Sequence, residues 1–144
     1  MALHIFADGA SKGNPGLASI GAVCFDVEKR ADVPDLEGFL SDRSAAQFTV
    51  SKKIGDKKTN NEAEYLALIE ALKQVKKGQG KLHIFIDSLL VVEQIKGNYK
   101  VKNARLKPLW QEAKSLLPDD GFTITHIPRE KNQIADYLAN EALK

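Results

Sequence analysis

The rhythm of apolar and polar positions changes several times along the 144 residues, and each change marks an element. Residues 3–8, LHIFAD, form an apolar run closed by an aspartate, which predicts a buried strand. GASKGNPG (9–16) is rich in turn residues and reads as a loop. LASIGAVCFDV (17–27) predicts a second strand, and AQFTVSKKI (46–54) a third, ended by GDKK. Between them, residues 28–45 mix charges with a proline and a glycine and predict only a loop or short excursion. TNNEAEYLALIEALKQVKKGQG (59–80) is the clearest helix. Thr59, Asn60 and Asn61 are cap-type residues, Lys73, Lys76 and Lys77 suit its C-terminal dipole, and Gly78 or Gly80 ends it. KLHIFID (81–87) is a strand, followed by a short helix over 88–98 stopped by Gly97. A helix over 104–118 has Pro108 near its start, 121–127 is a strand, and 132–144 a closing helix.

Strands followed by helices predict an α/β domain with parallel central strands. The link between the first two strands is too short for a crossover, so that pair is antiparallel and the sheet mixed. Sites in such sheets gather at the carboxyl ends of parallel strands. Two apolar runs begin Leu-His-Ile-Phe and end in an acid, at Asp8 and Asp87. Either aspartate alone reads equally well as a turn residue or helix cap. The matched pair favours one shared site.

Leu68, Leu72 and Val75 follow Glu64 at four, eight and eleven residues, one face at about 3.6 residues per turn. Glu64 therefore heads the sheet-facing stripe. Glu62 is expected on the opposite surface, complementing the helix dipole. In the last helix, Asp136 lies at the edge of the apolar face formed by Ile134, Ala135, Leu138, Ala139 and Ala142. Periodicity there fits a surface residue as well as a site residue. Converging carboxylates repel one another unless a cation neutralises them, and oxygen-only ligands suit Mg²⁺ or Mn²⁺. Two such ions support phosphoryl transfer.

Bulk composition narrows this little. Hydrophobic content is 43%, charged content 28% and formal net charge +2, so a nucleic-acid partner is neither required nor excluded. Lysines do cluster, at Lys52, Lys53, Lys57 and Lys58, and again at Lys96, Lys100, Lys102, Arg105 and Lys107. Cys24 is the single cysteine and sits in an apolar run, which removes disulfides and cysteine-built metal sites. No stretch is long enough to span a bilayer, and no leader-like N-terminus is present, so a cytoplasmic protein is expected.

DGASKGNPG, TNNEAEYLAL, IDS and NQIADYLANEA, in that order, resemble the type 1 ribonuclease H family, and the handle-free segment after Asp87 resembles its archaeal and some bacterial members. The resemblance covers nearly the whole chain except 28–45. It implies a five-stranded mixed sheet flanked by helices in one domain over 1–144. It implies endonucleolytic cleavage of RNA in an RNA/DNA hybrid, leaving 5′-phosphate and 3′-hydroxyl, using two Mg²⁺ ions, or Mn²⁺; a monomer that binds the hybrid and no membrane is expected. The family's acids fall on Asp8, Glu64, Asp87 and Asp136. Its substrate contacts fall on Gly9 and Asn14 in the glycine-rich turn, on Asn60 and Asn61 for the minor groove and 2′-hydroxyls, and on Ser88 and Asn132. A phosphate pocket for the DNA strand falls on Lys57, Thr59 and Asn103. Leu89 departs from the glutamine many relatives carry. His126 lies inside a strand, so it is not the mobile histidine of some relatives. An exonuclease or strand-transfer enzyme of the same fold is disfavoured by TNN-E. A non-cleaving hybrid-binding module is disfavoured by the four acids. An aspartyl phosphatase is disfavoured by Ala10, which stands where its second aspartate belongs.

Overall fold

The computed structural model describes residues 2–76 and 80–144; the expected helix end at Lys77 and Gly78 lies outside them. Five strands form one sheet: β1 (Ala2–Lys12), β2 (Gly16–Asp26), β3 (Phe48–Lys58), β4 (Lys81–Ile86) and β5 (Phe122–His126), in the order β3-β2-β1-β4-β5. β1 runs antiparallel to β2 and parallel to β4, and β4 parallel to β5, so the sheet is mixed as the pattern predicts. Five helices flank it: α1 (Leu36–Ser41), α2 (Asn60–Gln74), α3 (Leu89–Lys96), α4 (Lys107–Leu116) and α5 (Gln133–Glu141). Alternation along β1 sets the two faces. Leu3, Ile5 and Ala7 pack with α2, α3 and α4, while Phe6 packs with α1 and α5. Among the described residues, no helix is long and apolar enough to cross a membrane.

Three elements differ from the sequence pattern. β1 continues through the expected loop to Lys12, because Gly9, Ala10, Ser11 and Lys12 pair with Ile20, Ser19, Ala18 and Leu17. The turn shrinks to residues 13–15 and contains a cis Asn14–Pro15 peptide. β3 likewise runs through GDKK to Lys58. It does so by a register shift near Ala18, where Gly55 takes a φ of 116° that favours glycine. The excursion at 28–45 holds two short 3-10 turns and the six-residue α1, whose cap Asp35 accepts the Gly38 N–H at 2.8 Å. One buried side chain anchors it: Phe39 sits edge-on to Phe25, 6.3 Å between centroids. Burying such a side chain contributes roughly 2–3 kcal/mol, enough to hold a short helix that has too few apolar positions to show a period.

α5 is fixed against the sheet by polar as well as apolar contacts. Ser19 and Ser51 donate their hydroxyls to the Ala139 and Leu138 carbonyls, at 2.7 and 2.6 Å. The helix lies so close over β2 that a Cβ on Gly21 would stand 2.2 Å from the Ala135 carbonyl oxygen.

Candidate active site

β1 and β4 pair in register up to Ala7 and Ile86, so the next residues, Asp8 and Asp87, stand side by side where this parallel pairing ends, while β1 itself runs on against β2. α2 brings the third acid. Its first turn lies directly on β1, where a Cβ on Gly9 would stand 2.2 Å from the Ala63 carbonyl carbon. The Gly9 N–H then donates to Glu64 Oε1 at 3.1 Å. Asp8, Glu64 and Asp87 thus offer oxygens all within 4.8 Å of one another. Gly9, expected to let substrate approach, is instead buried and lets the helix approach.

These carboxylates stand in an environment that penalises their charge. Asp8 is 5% exposed and Glu64 7%. Burial pushes Asp8 up to about 7; its hydrogen bond to Glu64 offsets part of this, and the charges of Asp87 and Asp136 add to it. Burial, and then the charge of Asp8, holds Glu64 well above the usual carboxylate range. Glu64 Oε2 is buried with no hydrogen-bond partner. Among the described residues, no salt bridge puts a lysine or arginine on any of the three. An oxygen-only cluster with a buried acceptor to spare fits a hard divalent cation, which would remove the repulsion.

Asp136 comes from the first turn of α5 and is half-buried. It interacts with Asp8 but lies outside the three-acid group, with Oδ1 3.8 Å from Arg129 Nη2. Glu62 corrects the surface assignment. It is 6% exposed, held in the first turn of α2 between Thr59 and Arg105. Glu62 closes a capping box: it accepts the Thr59 N–H at 3.0 Å and donates its own N–H to Thr59 Oγ1 at 3.2 Å. Its Oε1 lies 3.6 Å from Arg105 Nε.

The expected substrate residues divide into two groups. Asn14 and Asn60 are exposed and stitch the hairpin to α2: Asn14 Oδ1 accepts the Asn60 N–H, and Asn60 Oδ1 accepts the Ser11 N–H, each at 3.1 Å. Asn61, next on the helix, is half-buried. Lys57 and Asn103 meet at Arg105, and Thr59 is tied to it through Glu62. Arg105 donates to the Lys57 carbonyl at 3.0 Å, and Asn103 Oδ1 accepts the Arg105 N–H at 2.8 Å. Ser88 caps α3 through its Oγ, which accepts the Val91 N–H at 3.3 Å. Asn132 requires a correction: it is 1% exposed and cannot lie on the substrate surface. Its Nδ2 donates to the Ala7 carbonyl at 2.9 Å and to Asp87 Oδ2 at 3.3 Å, so it orients Asp87. Its place as a cap-type residue before the last helix was the available signal. Nothing in the sequence marked Arg105 as the tie between three segments.

His126 ends β5 opposite Ile86, exposed, and the chain stays hydrogen-bonded beyond it through Ile127 N–H to the Ile86 carbonyl at 3.0 Å. A residue held this way does not swing. Under the hybrid cleavage that the family resemblance implies, His126→Ala is expected to leave single-turnover and steady-state rates within about threefold of wild type, a surface-scale change. A tenfold fall in turnover with unchanged melting and binding would make His126 catalytic.

A family model described as reverse transcriptase-like matches residues 6–142. Bifunctional protein Rv2228c of Mycobacterium tuberculosis is 37% identical over 145 residues, which take in 99% of this chain and 36% of that protein. The chain thus spans about a third of the length of that relative. Ribonuclease HI of Halobacterium salinarum is 36% identical, over 98% of this chain and 64% of that one. The crystal structure of RNase H1 from H. salinarum superposes with a TM-score of 0.82 at 36% identity, covering 99% of this chain and 98% of that one. LC11-RNase H1, solved in complex with an RNA/DNA hybrid, gives a TM-score of 0.75 at 35% identity over 97% of this chain and 95% of that one.

Proposed function

The chain belongs to the type 1 ribonuclease H family, and from that premise we propose that it is an endoribonuclease hydrolysing the RNA strand of RNA/DNA hybrids to 5′-phosphate and 3′-hydroxyl ends. The observation that carries this reading is the group of buried Asp8 and Glu64 with half-buried Asp87, oxygens within 4.8 Å and no lysine or arginine salt bridge to it among the described residues. The three acids would hold two divalent cations, Mg²⁺ or Mn²⁺, with Asp136 assisting from α5. Bound there, the cations supply Lewis-acid polarisation of the scissile phosphate.

The protein's own groups do the rest. Gly9 N–H fixes one Glu64 oxygen and leaves the other for a cation. Asn132 holds Asp87 in place. The exposed amides of Asn14 and Asn60, with Asn61, read base edges and the 2′-hydroxyl that separates RNA from DNA. Thr59, Asn103 and Lys57 take a DNA-strand phosphate beside Arg105. All these groups come from one chain, so a monomer suffices.

A hybrid labelled on the RNA strand, set beside single-stranded RNA, duplex DNA and a hybrid labelled on DNA, tests the reading. Only the first should be cut, internally, with phosphate on the 5′ end of each downstream product. Equal cutting of single-stranded RNA, or binding without cutting, would overturn it. Affinity should also fall with salt. If about three phosphates are neutralised, it drops roughly 40-fold between ~50 and ~200 mM, and Lys57→Ala lowers the log–log slope by about one. Lys52 is not counted, because it already faces Glu70 at 3.8 Å. A flat salt profile would show that the lysines do not touch the backbone.

A further inference from the structure

Among the described residues, Lys57 is the one residue other than glycine with a positive φ, at 58°. Residues with a Cβ rarely adopt this left-handed backbone. The chain just beyond it is pinned to the hairpin, since Lys58 pairs with Gly16 and its carbonyl accepts the Ser11 hydroxyl at 2.7 Å. Lys57 itself is held from a distant segment. Arg105, just before α4, donates through Nη2 to the Lys57 carbonyl at 3.0 Å, and its Nε lies 3.6 Å from Glu62 Oε1. Its backbone N–H donates to Asn103 Oδ1 at 2.8 Å. One exposed side chain thus joins the end of β3, the first turn of α2 and the approach to α4.

The hydrogen-bonding capacity left over around this tie is all of one kind. Thr59 Oγ1 accepts the Glu62 N–H, which leaves its hydroxyl proton to donate. Asn103 Oδ1 accepts the Arg105 and Leu106 N–H groups, which leaves the Nδ2 donors. Lys57 has no carboxylate within salt-bridge distance among the described residues. Two neutral donors and a cation suit the oxygens of a phosphate. Arg105 stands apart from these three, because its guanidinium is already engaged by a carbonyl and a carboxylate. We propose that Arg105 is a positioning residue for the hybrid: by holding the Lys57 carbonyl it keeps Lys57 left-handed, so that Lys57, Thr59 and Asn103 meet a DNA-strand phosphate as a preformed pocket. The proposal rests on the nuclease reading, which supplies the hybrid as the ligand.

The test uses RNA/DNA hybrids in which each DNA-strand phosphate in turn is replaced by an uncharged methylphosphonate, bound in chelator by wild type and by Arg105→Ala. In the wild type one position should weaken binding about tenfold, the scale of a hydrogen bond to a charged group. Arg105→Ala should bind the unmodified hybrid about tenfold more weakly, and the same methylphosphonate should then weaken it by less than about twofold. A side chain that merely supported the fold would weaken every hybrid alike and leave that position as sensitive as before. In the free protein, the ¹³C shifts and the N–H to Hα coupling of Lys57 should report a left-handed residue in wild type and lose that signature in Arg105→Ala. An unchanged signature beside weakened binding would make Arg105 a direct phosphate contact and overturn the positioning role. Full sensitivity at the same position in a folded Arg105→Ala would overturn it too. A wild type that cuts the hybrid but shows no sensitive phosphate overturns this proposal and leaves the nuclease reading standing, whereas one that neither binds nor cuts any hybrid overturns both.

Discussion

Asp8→Asn is expected to abolish hybrid cleavage, by ~10³-fold or more, while making the cation-free protein more stable. Asp8 lies on the central strand just past its pairing with β4 and faces Glu64, Asp87 and Asp136 from a buried position. Asparagine keeps the shape and removes the charge, so cation binding fails while the fold persists. The stability effect has a definite sign. The ordinary aspartate value of 3.8 is raised to about 7 in the fold. Between those values the native state keeps a proton that the unfolded chain has lost, so stability falls as pH rises through that window, and the penalty is complete above it. Asparagine removes the penalty. With chelator near pH 8, Asp8→Asn should melt roughly 3–6 °C above wild type, an effect of about 1–2 kcal/mol. Near pH 4 the two should converge. A variant that melts lower at pH 8, or that keeps substantial activity with saturating Mg²⁺, would remove Asp8 from the centre.

Glu64→Gln and Glu62→Gln should separate sharply although the residues are two apart and both buried. Glu64→Gln keeps an oxygen for the Gly9 N–H but loses the charge that a cation needs. Cleavage is expected to fall by about 10²–10³-fold with hybrid binding retained. Glu62→Gln also keeps an oxygen, here for the Thr59 N–H, so the capping box survives. It loses only the attraction of Arg105, whose side chain is 54% exposed, and the cost should stay near 1 kcal/mol or below with cleavage within about threefold. Steady-state kinetics and melts on both variants decide it. Reversed effects would place Glu62, not Glu64, in the cluster.

The acids of the central strands were legible because an apolar run closed by a carboxylate is conspicuous, and Leu-His-Ile-Phe occurs twice. Glu64 was legible from the stripe of Leu68, Leu72 and Val75. Glu62 was misplaced because a one-face stripe describes apolar packing, whereas Glu62 is held by Thr59 and Arg105. The hairpin was read as a long loop because glycine is a turn signal. Here Gly9 and Gly21 mark where helices press on strands, a packing fact that only the assembled sheet reveals. Asn132 was placed on the substrate because sequence gives a residue's type and not its direction; the fold turns it inward to Asp87. Residues 28–45 carried too few apolar positions to show a helical period, yet Phe39, their one fully buried side chain, anchors them with Val33 and Leu36 packed beside it.

The central claim is that Asp8, Glu64 and Asp87 form a divalent-cation site that drives cleavage of the hybrid's RNA strand. Titrating Mg²⁺ and Mn²⁺ into chelator-treated protein, following melting temperature and cleavage in the same samples, tests it most directly. In the wild type both should rise together, since a cation that binds only the folded state stabilises it by mass action. In Glu64→Gln neither should rise at the same concentrations. Cleavage that persists in chelator, or a wild-type melt that no divalent cation raises, would contradict the account.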